Sequence, residues 1–258
     1  MIFDRPSREP LPDKQFEDVQ HAAGKAFASL VPGLGEAFGL VLASPIERRR
    51  ADWFRDLEAR LRELENCVEG FRFDDLGQNE QFVSATLQAT QAALRTHQKQ
   101  KLEALRNAVT NVAQGREPSA DRQQQFISLV DRFSETHLVL LHFFKDPAAY
   151  FQSRGKPVPR IELQTKLLAY QLVCNAMPEL RNQTQSPSQD RTAASFQFIE
   201  LILRELVSAK LIALEPLNET WAVPKFDQNP ATSPVKPLTT HLGEDFLAFV
   251  AGPPAETR

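Results

Sequence analysis

The chain has almost none of the residues that staple or metallate a small fold. Two cysteines, Cys67 and Cys174, occur in 258 residues, and neither has a second Cys or a His at ligand spacing. That pattern excludes a disulfide framework and a zinc site, and it fits a reducing cytoplasm. An excess of charge of one sign is also missing. The net charge is -3 with a pI near 6.0, so no global field draws the chain to nucleic acid or to anionic lipid. No Gly-rich phosphate loop, nucleophile elbow or H-E-x-x-H occurs, and no metal, cofactor or small-molecule substrate is indicated. The opening MIFDRPSREPLPDK lacks the basic-then-apolar order of a secretory signal.

What is there, 42% hydrophobic and 24% charged residues, is the composition of a folded globular protein with a sizeable core. Periodicity predicts a mainly α fold in four parts. Residues 1–13 form a flexible arm, 14–118 a helical domain, 119–251 a winged-helix-like domain with a short β-hairpin, and 252–258 a tail. The boundary falls in QGREPSAD, 114–121, whose Gly, Pro and Ser read as a linker.

The segment AFASLVPGLGEAFGLVLASPI, 26–46, raises the question of a membrane. Pro32-Gly33 breaks it into a helical hairpin, and Ser44-Pro45 then opens a long helix with proline in the first turn, where a missing N–H is harmless. A span needs about 20 apolar residues. Here Pro32, Gly33, Gly35 and Glu36 would all lie mid-span, so a buried hairpin is the preferred reading and conditional insertion the second. Gly35, Gly39 and Ala43, with Gly33 just ahead, form a small-residue row that permits close helix packing in either medium. Arg48, Arg49 and Arg50 suit headgroups, and Trp53 suits either an interfacial anchor or a partly buried core position. The expected location is cytoplasmic, with peripheral contact at the inner membrane as the conditional state.

Further along, Phe54, Leu57, Leu61, Leu64, Val68 and Phe71 recur three and four apart, which predicts one docking stripe with Glu58–Arg62 on its wet side. A second long helix is predicted from Glu80 to Ala113. Its inner positions are Phe82, Leu87, Leu94, Leu102, Leu105, Val109 and Val112, and its outer face carries Arg95, Lys99, Lys101 and Arg106. That basic face lacks the aromatics on which single-stranded RNA stacks.

Beyond the linker, helices run at about 161–177 and 192–211. LIALEP and KPLTT read as strands on either side of a polar excursion over 216–236, and HLGEDFLAFVAG is a closing helix. This order resembles a winged-helix module, in which a recognition helix leads into a strand, a wing and a return strand. The spacing of Leu203, Leu206, Leu211 and Ile212 carries that resemblance. Basic and acidic residues nearly balance across 119–251, so a protein partner or self-association is preferred to duplex DNA.

One pair carries a catalytic candidate. RFSETH sets Arg132 five residues before His137, the R-x4-H spacing of the HEPN class of helical RNases, in which arginine holds phosphate and histidine moves the proton. Ser134 weighs against it, because a helix capped there would put Arg132 and His137 on different elements. His137 and His142, five apart beside Glu135, diverge by about 140° on a helix and make a poor metal pair.

Four stretches, VPGLGEAFGLVLASPIERRRADWF, LQATQAALRTHQKQKLEALRNAVTNVA, SLVDRFSETHLVLLHFF and PLTTHLGEDFLAFV, together resemble bacterial helical proteins of the abortive-infection alpha type. The resemblance spans most of 26–251, with His241 where proline is common in such endings. It implies a non-enzymatic role in defence against phage and transfers no catalytic residue.

Overall fold

The structure, a computed structural model, describes residues 36–116, 118–159, 167–182, 191–218, 220–224 and 235–252. It is mainly helical, with one two-stranded antiparallel sheet. The chain divides into two units, Met1–Gly70 and Phe71–Arg258.

In the first unit, helix α1 (Glu36–Cys67) runs straight through Pro45. The sequence placed Pro45 at a helix start. Instead the helix gives up one i→i−4 bond there, a cost of about 3 kcal/mol, between flanks rich in Leu, Ala, Glu and Arg. Of the hairpin expected over 26–46, the second limb is helical from Glu36 and runs into the long helix without the break expected at Ser44-Pro45, while the turn at Pro32-Gly33 and residues 26–35, with Gly33 and Gly35, lie outside the described residues. Gly39 and Ala43 are inside α1. Trp53, Leu57, Leu61 and Leu64 are buried at spacings of four, four and three. The stripe thus begins at Trp53 and not at Phe54, which is 42% exposed with the Arg50 guanidinium 6.0 Å from its ring centre. Trp53, 2% exposed, is a core residue and not an outward-facing anchor. Arg48, Arg49 and Arg50 are exposed, and Arg62 pairs with Glu58 at 3.2 Å. Among the described residues no helix is long and apolar enough to cross a membrane.

The second unit opens with a 3-10 turn, Phe73–Gln78, followed by α2 (Glu80–Arg95) and α3 (Lys99–Ala113). The sequence predicted one helix here. It breaks because the Thr96 hydroxyl accepts the Gln98 N–H at 3.1 Å, a local bond that competes with the helical ladder. The inner face of α2 is Phe82 with Ala85, Ala89, Ala92 and Ala93. Alanines let α2 approach α3 closely, so this stripe faces inward and Leu87, expected inside, is 61% exposed.

Next come α4 (Ala120–Arg132), α5 (Glu135–Lys145), α6 (Pro147–Ser153), α7 (Ala169–Ala176), α8 (Pro178–Asn182) and α9 (Arg191–Ser208). Strand β1 (Glu215–Leu217) pairs antiparallel with β2 (Thr220–Ala222), and α10 (His241–Val250) closes the unit. The return strand lies inside the stretch read as a polar excursion, turning at Asn218 with a φ of 54°. KPLTT contributes one bridge, Thr239 to Ile212, and Ala222 bridges back to Leu168.

The division expected at 114–121 falls within the second unit, because α10 docks on α3. The Asn107 amide donates to the Val250 carbonyl at 3.0 Å. That of Asn111 donates to Phe249 at 2.8 Å and Ala251 at 3.0 Å. These are carbonyls at a helix C-terminus that no intrahelical N–H reaches. From α4, Phe126 packs edge-on to Phe246 at 5.4 Å between ring centres.

At its other end α10 is capped by Thr240, whose hydroxyl accepts the Gly243 N–H at 3.0 Å and whose own N–H donates to Leu211 O at 3.0 Å. A side chain at Gly243 would place its Cβ 2.1 Å from the Leu211 carbonyl oxygen. Just before this contact, α9 ends in a Schellman motif. The Leu211 N–H reaches Leu206 O at 3.0 Å and the Lys210 N–H reaches Val207 O at 2.9 Å, with Lys210 at a φ of 61°.

Two substitutions test these ends by urea denaturation. Gly243→Ala in an open helix would gain about 1 kcal/mol; here the clash with Leu211 costs more, and a net loss of about 2 kcal/mol is expected. Lys210→Gly relieves the left-handed conformation and stabilises by about 1 kcal/mol.

Candidate functional site

The catalytic candidates meet at a junction where two helix breaks face each other, one between α2 and α3 and the other between α4 and α5. Serine favours N-caps, and Ser134 caps α5, leaving Arg132 as the last residue of α4 and His137 in the first turn of α5. The two residues predicted as an R-x4-H pair therefore stand on different helices. His137 is buried, its ring stacked on Phe133 at 4.7 Å with an interplanar angle of 2°. Arg132 is exposed and lies 5.6 Å from the centre of the Phe133 ring.

Both ring nitrogens of His137 are engaged. The Ser134 backbone N–H donates to Nδ1 at 3.1 Å, and the Ser134 hydroxyl lies 2.9 Å from the same atom. A backbone N–H can only donate, so Nδ1 is the unprotonated nitrogen and the ring proton sits on Nε2. That proton is donated to Glu205 Oε2 of α9 at 2.9 Å. Burial pushes the pKa of His137 below its ordinary value near 6.5. Glu205 opposes that push, while Arg132 and Lys101 add to it. Although Ser, His and Glu lie in a chain, the serine is the helix cap and Nδ1 already serves its N–H. No ring nitrogen is left for a phosphate or acyl substrate.

Lys101, predicted on a basic outer face, is buried. Its ammonium donates to the Asp131 carbonyl at 2.7 Å, supplying a C-terminal carbonyl of α4. Burial lowers its pKa despite the nearby Asp131 carboxylate. Arg95 pairs with the same Asp131 through its side chain, and Arg106 lies by Glu103 at 3.5 Å. The Glu135 carboxylate accepts the Gln100 N–H at 3.1 Å, serving the first turn of α3. Arg95 and Lys99 remain exposed, but the predicted basic face does not form. Among the described residues no group of three or more His, Cys, Asp or Glu side chains could hold a metal ion.

A different surface was missed by the sequence reading. On α9, Phe198 is 40% and Leu201 is 50% exposed, one turn apart. Between them Glu200 turns inward, buried, with neither carboxylate oxygen hydrogen-bonded to any described residue, and burial raises its pKa. The signal was present as FQFIELILREL, in which apolar residues occupy more than one helical face. Comparison with known proteins finds no matching family model, no matching curated protein and no matching solved structure.

The His137 contacts set a pH dependence. The fold holds a ring that resists protonation, so the unfolded chain binds more protons as pH falls through the ordinary histidine range. Stability contributed by neutral His137 is complete above about pH 6.5 and declines below it. Urea midpoints measured from pH 7.5 down to 5.5 should fall for the parent and fall less steeply for His137→Gln. Equal slopes would show that the ring is not held neutral.

Proposed function

We propose that this chain is a non-enzymatic interaction protein of the abortive-infection kind, whose C-terminal part is winged-helix-like and engages a protein partner through α9. The observation that carries the reading is the exposed pair Phe198 and Leu201 on the helix that leads into the hairpin. Apolar residues one turn apart on an exposed helix are the anchors of helix-in-groove recognition.

The order α9, β1, turn at Asn218 and β2, with β2 bridged to Leu168 ahead of α7, supports the winged-helix-like reading. The charge pattern of α9 favours protein over duplex DNA. Its exposed residues Gln197, Phe198, Leu201, Arg204 and Ser208 include one cation, Arg204, which is followed directly by Glu205, whereas phosphate binding wants several. The engaged nitrogens of His137 favour a non-enzymatic role over the RNase alternative. The defence role rests on the sequence resemblance, and two of its stretches, the one containing LRNAV and PLTTHLGEDFLAFV, meet in the fold where Asn107 donates to Val250.

The test is plating efficiency of a phage panel on bacteria expressing the parent or Leu201→Glu, with both proteins checked for equal thermal stability. The parent should reduce plating. Leu201→Glu, which removes a contact worth about tenfold or more in affinity, should restore it. Equal protection by the variant removes α9 as the partner face, and no protection by the parent removes the defence role. A salt-dependent gel shift with duplex DNA would favour a nucleic-acid-binding regulator instead.

A further inference from the structure

Charged residues make up 24% of the chain, yet none occurs from Gln81 to Leu94 in α2 or from Gln123 to Val130 in α4. The two helices pack side by side. Gln88 Nε2 donates to the Gln124 carbonyl at 3.1 Å and to the Ser128 hydroxyl at 3.0 Å. Gln123 Nε2 returns a bond to Gln81 O at 3.2 Å. The amides thus hold the pair as one surface. At its centre Leu87 is 61% and Val83 is 48% exposed. Leu87 is the most exposed of the large apolar side chains described.

We propose that this charge-free face of α2 and α4 seats the same face of a second copy of the chain, with the two α2 helices antiparallel. Depletion of charge around exposed apolar side chains is the composition of an interface core, because amides and hydroxyls are desolvated at far lower cost than ions. The ends of α2 name the occupant. Glu80 is its first residue and Arg95 its last, and Leu87 stands at its midpoint. A two-fold axis beside Leu87 brings the two Leu87 side chains together and sets Glu80 of each copy opposite Arg95 of the other. The helix dipoles also oppose favourably in that arrangement. Asp131 of α4 holds Arg95 at its end of the face. A closed two-fold pair follows from one self-complementary patch. This surface is distinct from the α9 face, so either can hold without the other.

The experiment is sedimentation velocity of the full chain across a concentration series, with Leu87→Glu, Val83→Glu and Glu80→Arg beside the parent. The parent should form a dimer. Leu87→Glu, placed at the axis and so counted twice, should weaken it by about a hundredfold or more. Val83→Glu should weaken it as well, and Glu80→Arg should do so in a salt-dependent way. All three positions are exposed, and circular dichroism would confirm that each variant keeps the parent's helix content. In a Cys67→Ser background, Leu87→Cys should form a disulfide-linked dimer under mild oxidation, because the two-fold axis places that position against itself. A parent that stays monomeric throughout, a dimer indifferent to Leu87→Glu, or an open ladder of larger species would overturn the proposal.

Discussion

The second unit depends on how the C-terminal carbonyls of α10 are satisfied. A helix end leaves carbonyls with no partner of their own, and leaving one buried without a donor costs about 1–3 kcal/mol. Asn107 and Asn111, one turn apart on α3, both point their amides at that end and supply Phe249, Val250 and Ala251. The other end of α10 is pinned by Thr240 and by the absence of a side chain at Gly243, which lets the helix lie against Leu211. Through these two ends α2 and α3 are joined to the hairpin region after 191 within the second unit.

The same accounting explains the polar junction around His137. A break in a helical chain exposes donors and acceptors, and at the two breaks beside His137 three of these groups are served by side chains from across the junction or just beyond the break. Glu135 takes the Gln100 N–H, Lys101 serves Asp131 O, and His137 takes the Ser134 N–H while binding Glu205. A cluster of Ser, His, Glu, Asp and Lys looks catalytic as a composition. Its geometry shows Glu135, Lys101 and His137 at work on helix termini, with Glu205 holding the far side of the His137 ring.

Local chemistry explains what the sequence made legible. Ser134 read as a cap because serine favours that position, and the closing helix was plain from its apolar period, whereas Thr240, read as the end of a strand, proves to be the cap of that helix. Other features depended on the partner of each face. Leu87 was placed inside with the other large apolar residues, yet it is the small side chains of Ala85 and Ala89 that are buried. Trp53 and Phe54 are adjacent and equally apolar, so the register of α1 by one residue is set by what covers it. The break at Thr96 turns on a single hydroxyl, and strand β2 holds three residues, too few for a period to show. The candidate pair Arg132 and His137 was legible as a spacing, but the allotment of its ring nitrogens was not.

The amides of Asn107 and Asn111 wait for carbonyls 138 to 143 positions later in the chain. During synthesis, α3 therefore leaves the ribosome with its buried face finished in sequence and unfinished in space. Contacts of such long sequence separation form late and slowly. The second unit closes only after its last helix has emerged. A message cut short before α10 yields a chain whose open face is offered to chaperones and proteases.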